Sequence, residues 1–273
     1  MRIPARRPDP PASEILAGPH VVLEALRAGR RILRRVWLAR QEQGRTIGLI
    51  LQLARERAVP VEIRPRTELD RLARGVTHQG ILAEVGPFPY LEAEEIVGRA
   101  LRAREGAFLL VLDGIQDPQN LGAILRSAEA AGAHGLIVPR DRAAGVTPAA
   151  ARASAGATEH LAVGRVTNLA AFLDWVKTQG LWVVGADPAG ERVLYGVDLR
   201  EPLALVIGAE GRGLRPLIQS RCDRRVRIPR LGKVGSLNAA SAAAVCLFEV
   251  VRQRHGSEEW SAGPDFEHGK EVP

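Results

Sequence analysis

Three stretches of this 273-residue chain place polar side chains where a sheet protein keeps its chemistry. The first, LDGIQDPQNLGAILRSAEAAG over 112–132, carries Asn120, Gly122 and Arg126 in an N-x-G-x-x-x-R spacing behind an apolar strand. Asn120 suits a helix N-cap. Gly122 inside that helix costs about 1 kcal/mol relative to Ala, so a close approach of some other group is expected to offset it. The second, VIGAEGRGL over 206–214, sets Glu210 among three glycines directly after a buried strand. Backbone amides and carbonyls exposed there could hold a flat heterocycle. The third, IPRLGKVGSLNAASAAAVCLFEVVRQR over 228–254, ends a strand, turns through Gly232 and Gly235, and starts an Ala-rich helix. Ser236 suits the helix cap, whereas Asn238, a poor helix former, is left without a structural reason.

These patterns exclude familiar alternatives. The glycines match neither G-x-G-x-x-G nor G-x-x-x-x-G-K-[ST], which argues against a dinucleotide-dependent oxidoreductase and against a P-loop enzyme. Six histidines and two cysteines, Cys222 and Cys246, are scattered without metal-ligand spacing, so no metal is expected. His78 reads as a surface polar residue and the cysteines as buried structural ones.

Elements must hold the three stretches together. Strand–helix alternation from about residue 106 onward, with AFLLVLD, GLIVP, LWVVGAD, LALVIGAE and RRVRIP as strands, predicts an α/β domain with a parallel sheet. In such sheets ligands sit at the carboxyl ends of strands, which is where all three polar stretches fall. Upstream, the segment 14–88 reads as a separate α/β unit, with HVVLEALRAG and TIGLILQLARERAV as helices and RILRRVWLA, PVEIRP and QGILAEVG as strands. A boundary follows at GPFPY, with a connecting helix in a linker over 89–105 and the second domain over 106–256. Residues 1–13 and 257–273 are expected to lack order.

Composition limits the partners. There are 38 basic and 31 acidic residues, a net charge of +7, and the 14–90 segment holds thirteen arginines against eight acids. A polyanion such as RNA fits this balance, with the Arg-rich stretch 27–40 a candidate for phosphate contacts. Aromatics make up 4% of the chain, too few for a stacking platform to dominate. No run is long and apolar enough to span a membrane, and no signal peptide is visible. A cytoplasmic protein is the expectation.

Taken together, the three stretches resemble the signature motifs of the SpoU (TrmH-like) RNA ribose 2'-O-methyltransferases of the SPOUT superfamily. GPHVVLEALRAG and THQGILAEV resemble segments of the L30e-like substrate-binding domain found in one branch of that family. The resemblance implies a C-terminal trefoil knot, a homodimer, and S-adenosylmethionine bound against Gly208, Ile228 and Leu237. It implies site residues Asn120, Arg126, Glu210, Ser236 and Asn238. It points to the branch that methylates a guanosine of 23S ribosomal RNA. Transfer RNA is the alternative substrate, and a non-catalytic RNA-binding protein the alternative class. The Ser usual two places after the motif Asn is Ala240 here, followed by Ser241.

Methyl transfer to a ribose hydroxyl requires a developing negative charge on oxygen to be stabilised. A guanidinium with a pKa above about 12 is no base. Arg126 is therefore expected to hold a phosphate and the developing alkoxide, with Glu210 and Asn120 orienting it and the ribose.

Overall fold

A computed structural model describes residues 13–261 except Gln41 and Val234, with side chains described as far as His255. The segments 1–12 and 262–273, where disorder was expected, lie outside the described residues.

The first unit is a four-stranded mixed sheet with three helices. It comprises β1 (Glu14–Ala17), α1 (Pro19–Ala28), β2 (Leu33–Ala39), α2 (Arg45–Glu56), β3 (Val61–Arg64), α3 (Arg66–Ala73) and β4 (Ile81–Val85). The strand order is β1-β4-β2-β3. Helix α1 starts on Pro19 and stops at Gly29, whose φ of 59° is the left-handed conformation that glycine adopts without a Cβ penalty. Leu16, Val22, Leu26, Ile50, Ile81 and Val85 fill the core between α1, α2 and the sheet. His78 is buried rather than superficial. Its Nε2 sits 2.8 Å from Asp70 and its Nδ1 accepts from the Gly80 amide, pinning the turn before β4.

The second unit is built on seven strands, all parallel. In chain order it runs α4 (Ala93–Leu101), β5 (Phe108–Asp113), α5 (Pro118–Ala130), β6 (Gly135–Pro139), α6 (Pro148–Ala153), β7 (Val163–Val166), α7 (Leu169–Thr178), β8 (Trp182–Ala186), β9 (Arg192–Val193), β10 (Leu203–Gly208), α8 (Pro216–Gln219), β11 (Arg224–Arg227) and α9 (Ala239–Ser261). The strand order is β7-β6-β5-β10-β8-β11-β9. Strands β5 and β10 are buried along their whole length, which explains their unbroken apolar runs. Their alternate residues face two cores. Leu110, Leu112, Leu205 and Ile207 pack on α5 and α9, and Leu109, Val111, Ala204 and Val206 pack on α4 and α7.

Three expectations change. Helix α4 is no linker: Ile96, Val97 and Ala100 are buried against the sheet, a spacing that gives the helix one apolar face. The last helix continues to Ser261, past the expected end of order at 256, because nothing from Ser257 to Ser261 breaks a helix. Strands β7 and β9 were not foreseen, being only four and two residues long.

The two units are docked. Arg31, its side chain fully buried, reaches Glu14 of its own unit at 2.9 Å and Glu159 of the second unit at 3.0 Å. It also lies 4.8 Å above the centre of the Phe88 ring. Arg30 donates to the carbonyls of His160 and Leu161, and His160 pairs with Glu24 at 2.7 Å. Burial pushes the Glu159 carboxyl up against the opposing pull of Arg31.

Candidate active site

The three polar stretches converge at the carboxyl ends of β5 and β10. At the first, Asp117 rather than Asn120 caps α5. Its carboxylate accepts from the Gln119 and Asn120 amides at 3.1 Å each, and Pro118 occupies the first turn. Asp-Pro ahead of an apolar periodic run is the available sequence signal for that cap. Asn120 thus has a side chain free of capping duty. Gly122 proves to be a helix–helix contact. A Cβ there would meet the Ala150 carbonyl and the Ala153 Cβ at 2.5 Å, so the glycine lets α6 press on α5 and is no ligand contact.

At the second stretch the chain leaves β10 and doubles back. The Gly213 amide donates to the Ala209 carbonyl at 2.9 Å, which leaves Glu210 exposed at the tip. Gly208 is required by this turn, since a Cβ would meet the Gly213 carbonyl carbon at 2.2 Å. Gly211 and Gly213 have φ of 74° and 64°, a conformation costly for other residues.

At the third stretch Asn238 is the cap of α9, in place of the expected Ser236. Its Oδ1 accepts from the amides of Ala240 at 2.8 Å and Ser241 at 3.4 Å. Its Nδ2 donates to Asn120 Oδ1 at 2.9 Å and to Glu210 Oε2 at 3.3 Å. One amide therefore ends a helix and ties the other two stretches together. Neither Ala240 nor Ser241 is needed for this link beyond its backbone.

Beside this trio lies a cleft of about 570 Å³, counted out to the open solvent at its mouth. Ile207, Val226, Ile228 and Leu237 give it apolar walls, and the 208–213 turn gives it a rim that is largely main chain. Gly208, Glu210, Ile228, Ser236 and Leu237, all expected at the site, line it. Asp187, Pro188 and Arg230 line it as well and were not foreseen. Asp187 is buried and accepts from the Ala189 amide and the Gln219 side chain, so it is already satisfied. A slot with apolar walls and a glycine rim fits a flat adenosine better than a bulky charged group.

Arg126 is the site residue that the fold does not join to the others. It lies on α5 about one residue short of two turns beyond Asn120, roughly 9 Å along the helix. It is exposed and makes no hydrogen bond or ion pair with any described residue. Most of the arginines expected to meet phosphate are engaged instead. Arg27 pairs with Glu24, Arg30 and Arg31 hold the domain seam, and Arg35 pairs with Glu62 and Glu84. Among the described residues, no group of three or more His, Cys, Asp or Glu is placed to hold a metal ion, and no helix is long and apolar enough to cross a membrane.

Comparison with known proteins fits both units. The SpoU rRNA Methylase family matches residues 107–248, and the RNA 2'-O ribose methyltransferase substrate-binding family matches residues 15–91. The chain is 42% identical to the 23S rRNA (guanosine-2'-O-)-methyltransferase RlmB of Pseudomonas aeruginosa, over 88% of this chain and 97% of that one. It is 40% identical to YacO of Bacillus subtilis, described only as a TrmH-family tRNA/rRNA methyltransferase, over 89% of this chain and 96% of that one. The crystal structure of the SpoU methyltransferase AviRb from Streptomyces viridochromogenes, solved with its cofactor AdoMet, superposes with a TM-score of 0.74 at 30% identity, over 89% of this chain and 91% of that one. Matching motifs, matching domains and a shared fold over nearly the whole length lead to one conclusion: the chain belongs to the SpoU rRNA methylase family.

Proposed function

We propose that this chain methylates the ribose 2'-hydroxyl of a guanosine in 23S ribosomal RNA. As a SpoU family member it is an RNA 2'-O-methyltransferase and uses S-adenosylmethionine. The finer reading draws support from the Pseudomonas relative's name and from the substrate-binding match over 15–91. Transfer RNA is the second reading, favoured by the broader description of the Bacillus relative.

The observation that carries the site assignment is the Asn238 amide, bridging Asn120 and Glu210 at the mouth of an apolar cleft. The cleft residues would hold the cofactor through Gly208, Ile228 and Leu237, and the cofactor supplies an electrophilic methyl group. Asn238 fixes the Glu210 carboxylate and the Asn120 amide relative to each other, so both can orient a ribose without reorganising. Ser236 adds a hydroxyl on the cleft wall. Arg126 holds the adjoining phosphate and offsets charge as it develops on the attacking oxygen. An arginine with no partner among the described residues fits a site completed by a second copy, so we take the protein to act as a homodimer. Exposed Phe248 on α9 suits such a contact.

The remaining parts of the reading are of the same standing. A trefoil knot is supported by the placement of β10 between β5 and β8, and of β11 between β8 and β9. An L30e-like fold for 14–88 and a cytoplasmic location complete it.

Labelled S-adenosylmethionine, incubated with RNA from a strain lacking the gene, tests the function. Label at one guanosine of 23S RNA is expected. Label confined to transfer RNA overturns the substrate class and keeps the activity. Absence of both label and cofactor binding supports the non-catalytic reading.

A further inference from the structure

A second cleft, of about 840 Å³, opens between the loops that follow β5, β6 and β10. It shares Ala209 and Gly213 with the cofactor cleft, so the Glu210 turn is the partition between the two. Its lining includes Gln116, in the loop just before the α5 cap, together with Asp141, Arg142 and Arg212. A ribose held at the Asn120–Glu210–Asn238 trio therefore stands at the edge of this cleft.

The chemistry of the lining is mixed. Asp113 is fully engaged beneath it, accepting from the Arg215 amide at 2.8 Å and from Arg215 Nε at 2.6 Å. Arg142 and Arg212 are exposed and make no hydrogen bond or ion pair with any described residue. Arg142 has a φ of 59°, a left-handed conformation costing a non-glycine residue about 1 kcal/mol or more. The neighbouring Ala144 amide holds that loop to the Ile115 carbonyl at 2.7 Å. No aromatic side chain lines the cleft, so a base there would be recognised by its edge rather than by stacking on a ring.

An enzyme that selects one guanosine of an RNA must read the edge of an unstacked base, and that base needs a pocket beside the site. We propose that this second cleft is that pocket, with Asp141 and Gln116 reading the base and Arg142 and Arg212 holding its outer edge and flanking phosphates. The inference rests on the functional reading above and deepens it. Guanine suits the lining. Its ring N–H and exocyclic amine donate to a carboxylate or amide oxygen, and its O6 and N7 accept from a guanidinium. Adenine offers no such donor pair to Asp141.

The test uses the full chain and a short RNA carrying the mapped target site with either guanosine or inosine, which lacks the amine. Wild-type protein is expected to prefer guanosine by about tenfold in kcat/KM. Asp141→Asn should erase most of that preference while calorimetry shows unchanged S-adenosylmethionine affinity. Gln116→Ala, at an exposed loop position, should narrow it in the same way. Arg212→Ala should slow both substrates equally and flatten the salt dependence of binding. A guanosine-to-inosine ratio that stays the same in Asp141→Asn and Gln116→Ala, or no preference in the wild type, overturns the pocket and leaves the methyltransferase reading standing. A wild-type chain that labels no RNA overturns both.

Discussion

Two sets of charged and polar groups differ in how their charge is met. At the domain seam, Arg31 is buried and held by Glu14, Glu159 and the Phe88 ring. At the candidate site, the Asn120–Glu210–Asn238 trio is joined by a single amide, and Arg126 has no partner among the described residues. The seam has satisfied its charge internally, while the site has left its charge for something that arrives. The same residue type, arginine, is thus buried among partners in one place and exposed in the other, and the proposed substrate role of Arg126 rests on that difference.

The largest effect should come from breaking the seam. Arg31→Met leaves Glu159 buried without its cation and should cost about 3–5 kcal/mol in chemical denaturation. Burial already holds the Glu159 carboxyl above its ordinary value of 4.5. A carboxyl raised on folding gains stability from its proton below the unfolded pKa and loses it as pH rises through the folded one. The deficit of Arg31→Met should therefore shrink from pH 7 toward pH 4.5. A deficit independent of pH would show that Glu159 is not the group left stranded.

Arg126→Ala should show the opposite profile. About a hundred- to a thousandfold of kcat should vanish, with melting temperature and cofactor affinity unchanged. Equal loss of cofactor binding would remove the assigned role. Arg126→Lys sharpens the contrast, since full activity there would mean that a point charge suffices.

Gly122→Ala should behave like a seam variant although it sits in a site motif. Its Cβ would press on α6, and overpacking of this kind costs roughly 1–3 kcal/mol. Loss of stability accompanying any loss of activity is the expected result. Asn238→Asp keeps the α9 cap but replaces the bridging donor with a second carboxylate beside Glu210. Helix stability should hold to within about 1 kcal/mol while turnover falls. Asn238→Ala should lose both. A stable and active Asn238→Asp would show that the bridge is dispensable.

How much of this was legible beforehand follows from the range of each interaction. Strands β5 and β10 announced themselves through six-residue apolar runs, and the site motifs through polar residues at their ends. Capping was misread at both helices. Asn120 and Ser236 are good caps in isolation, but Asp117 and Asn238 occupy the positions from which a side chain reaches the free amides. The partner of Gly122 is invisible locally because Ala150 and Ala153 arrive from another helix. The seam was the least legible feature, because Arg31 and Glu159 are 128 residues apart and no periodicity links them. An arginine-rich stretch looks the same in sequence whether it will face phosphate or a buried glutamate.

The seam has a consequence for the RNA. Glu159 follows α6 closely in the chain, and α6 is the helix on which Gly122 and α5 rest, so the substrate-binding unit is braced through α6 against the helix that carries Asn120 and Arg126. On the proposed function, in which both units meet the RNA, the spacing between them works as a gauge of fixed length. An RNA that does not already match it must bend to do so, and sequences that bend cheaply gain an advantage without a single contact to their bases.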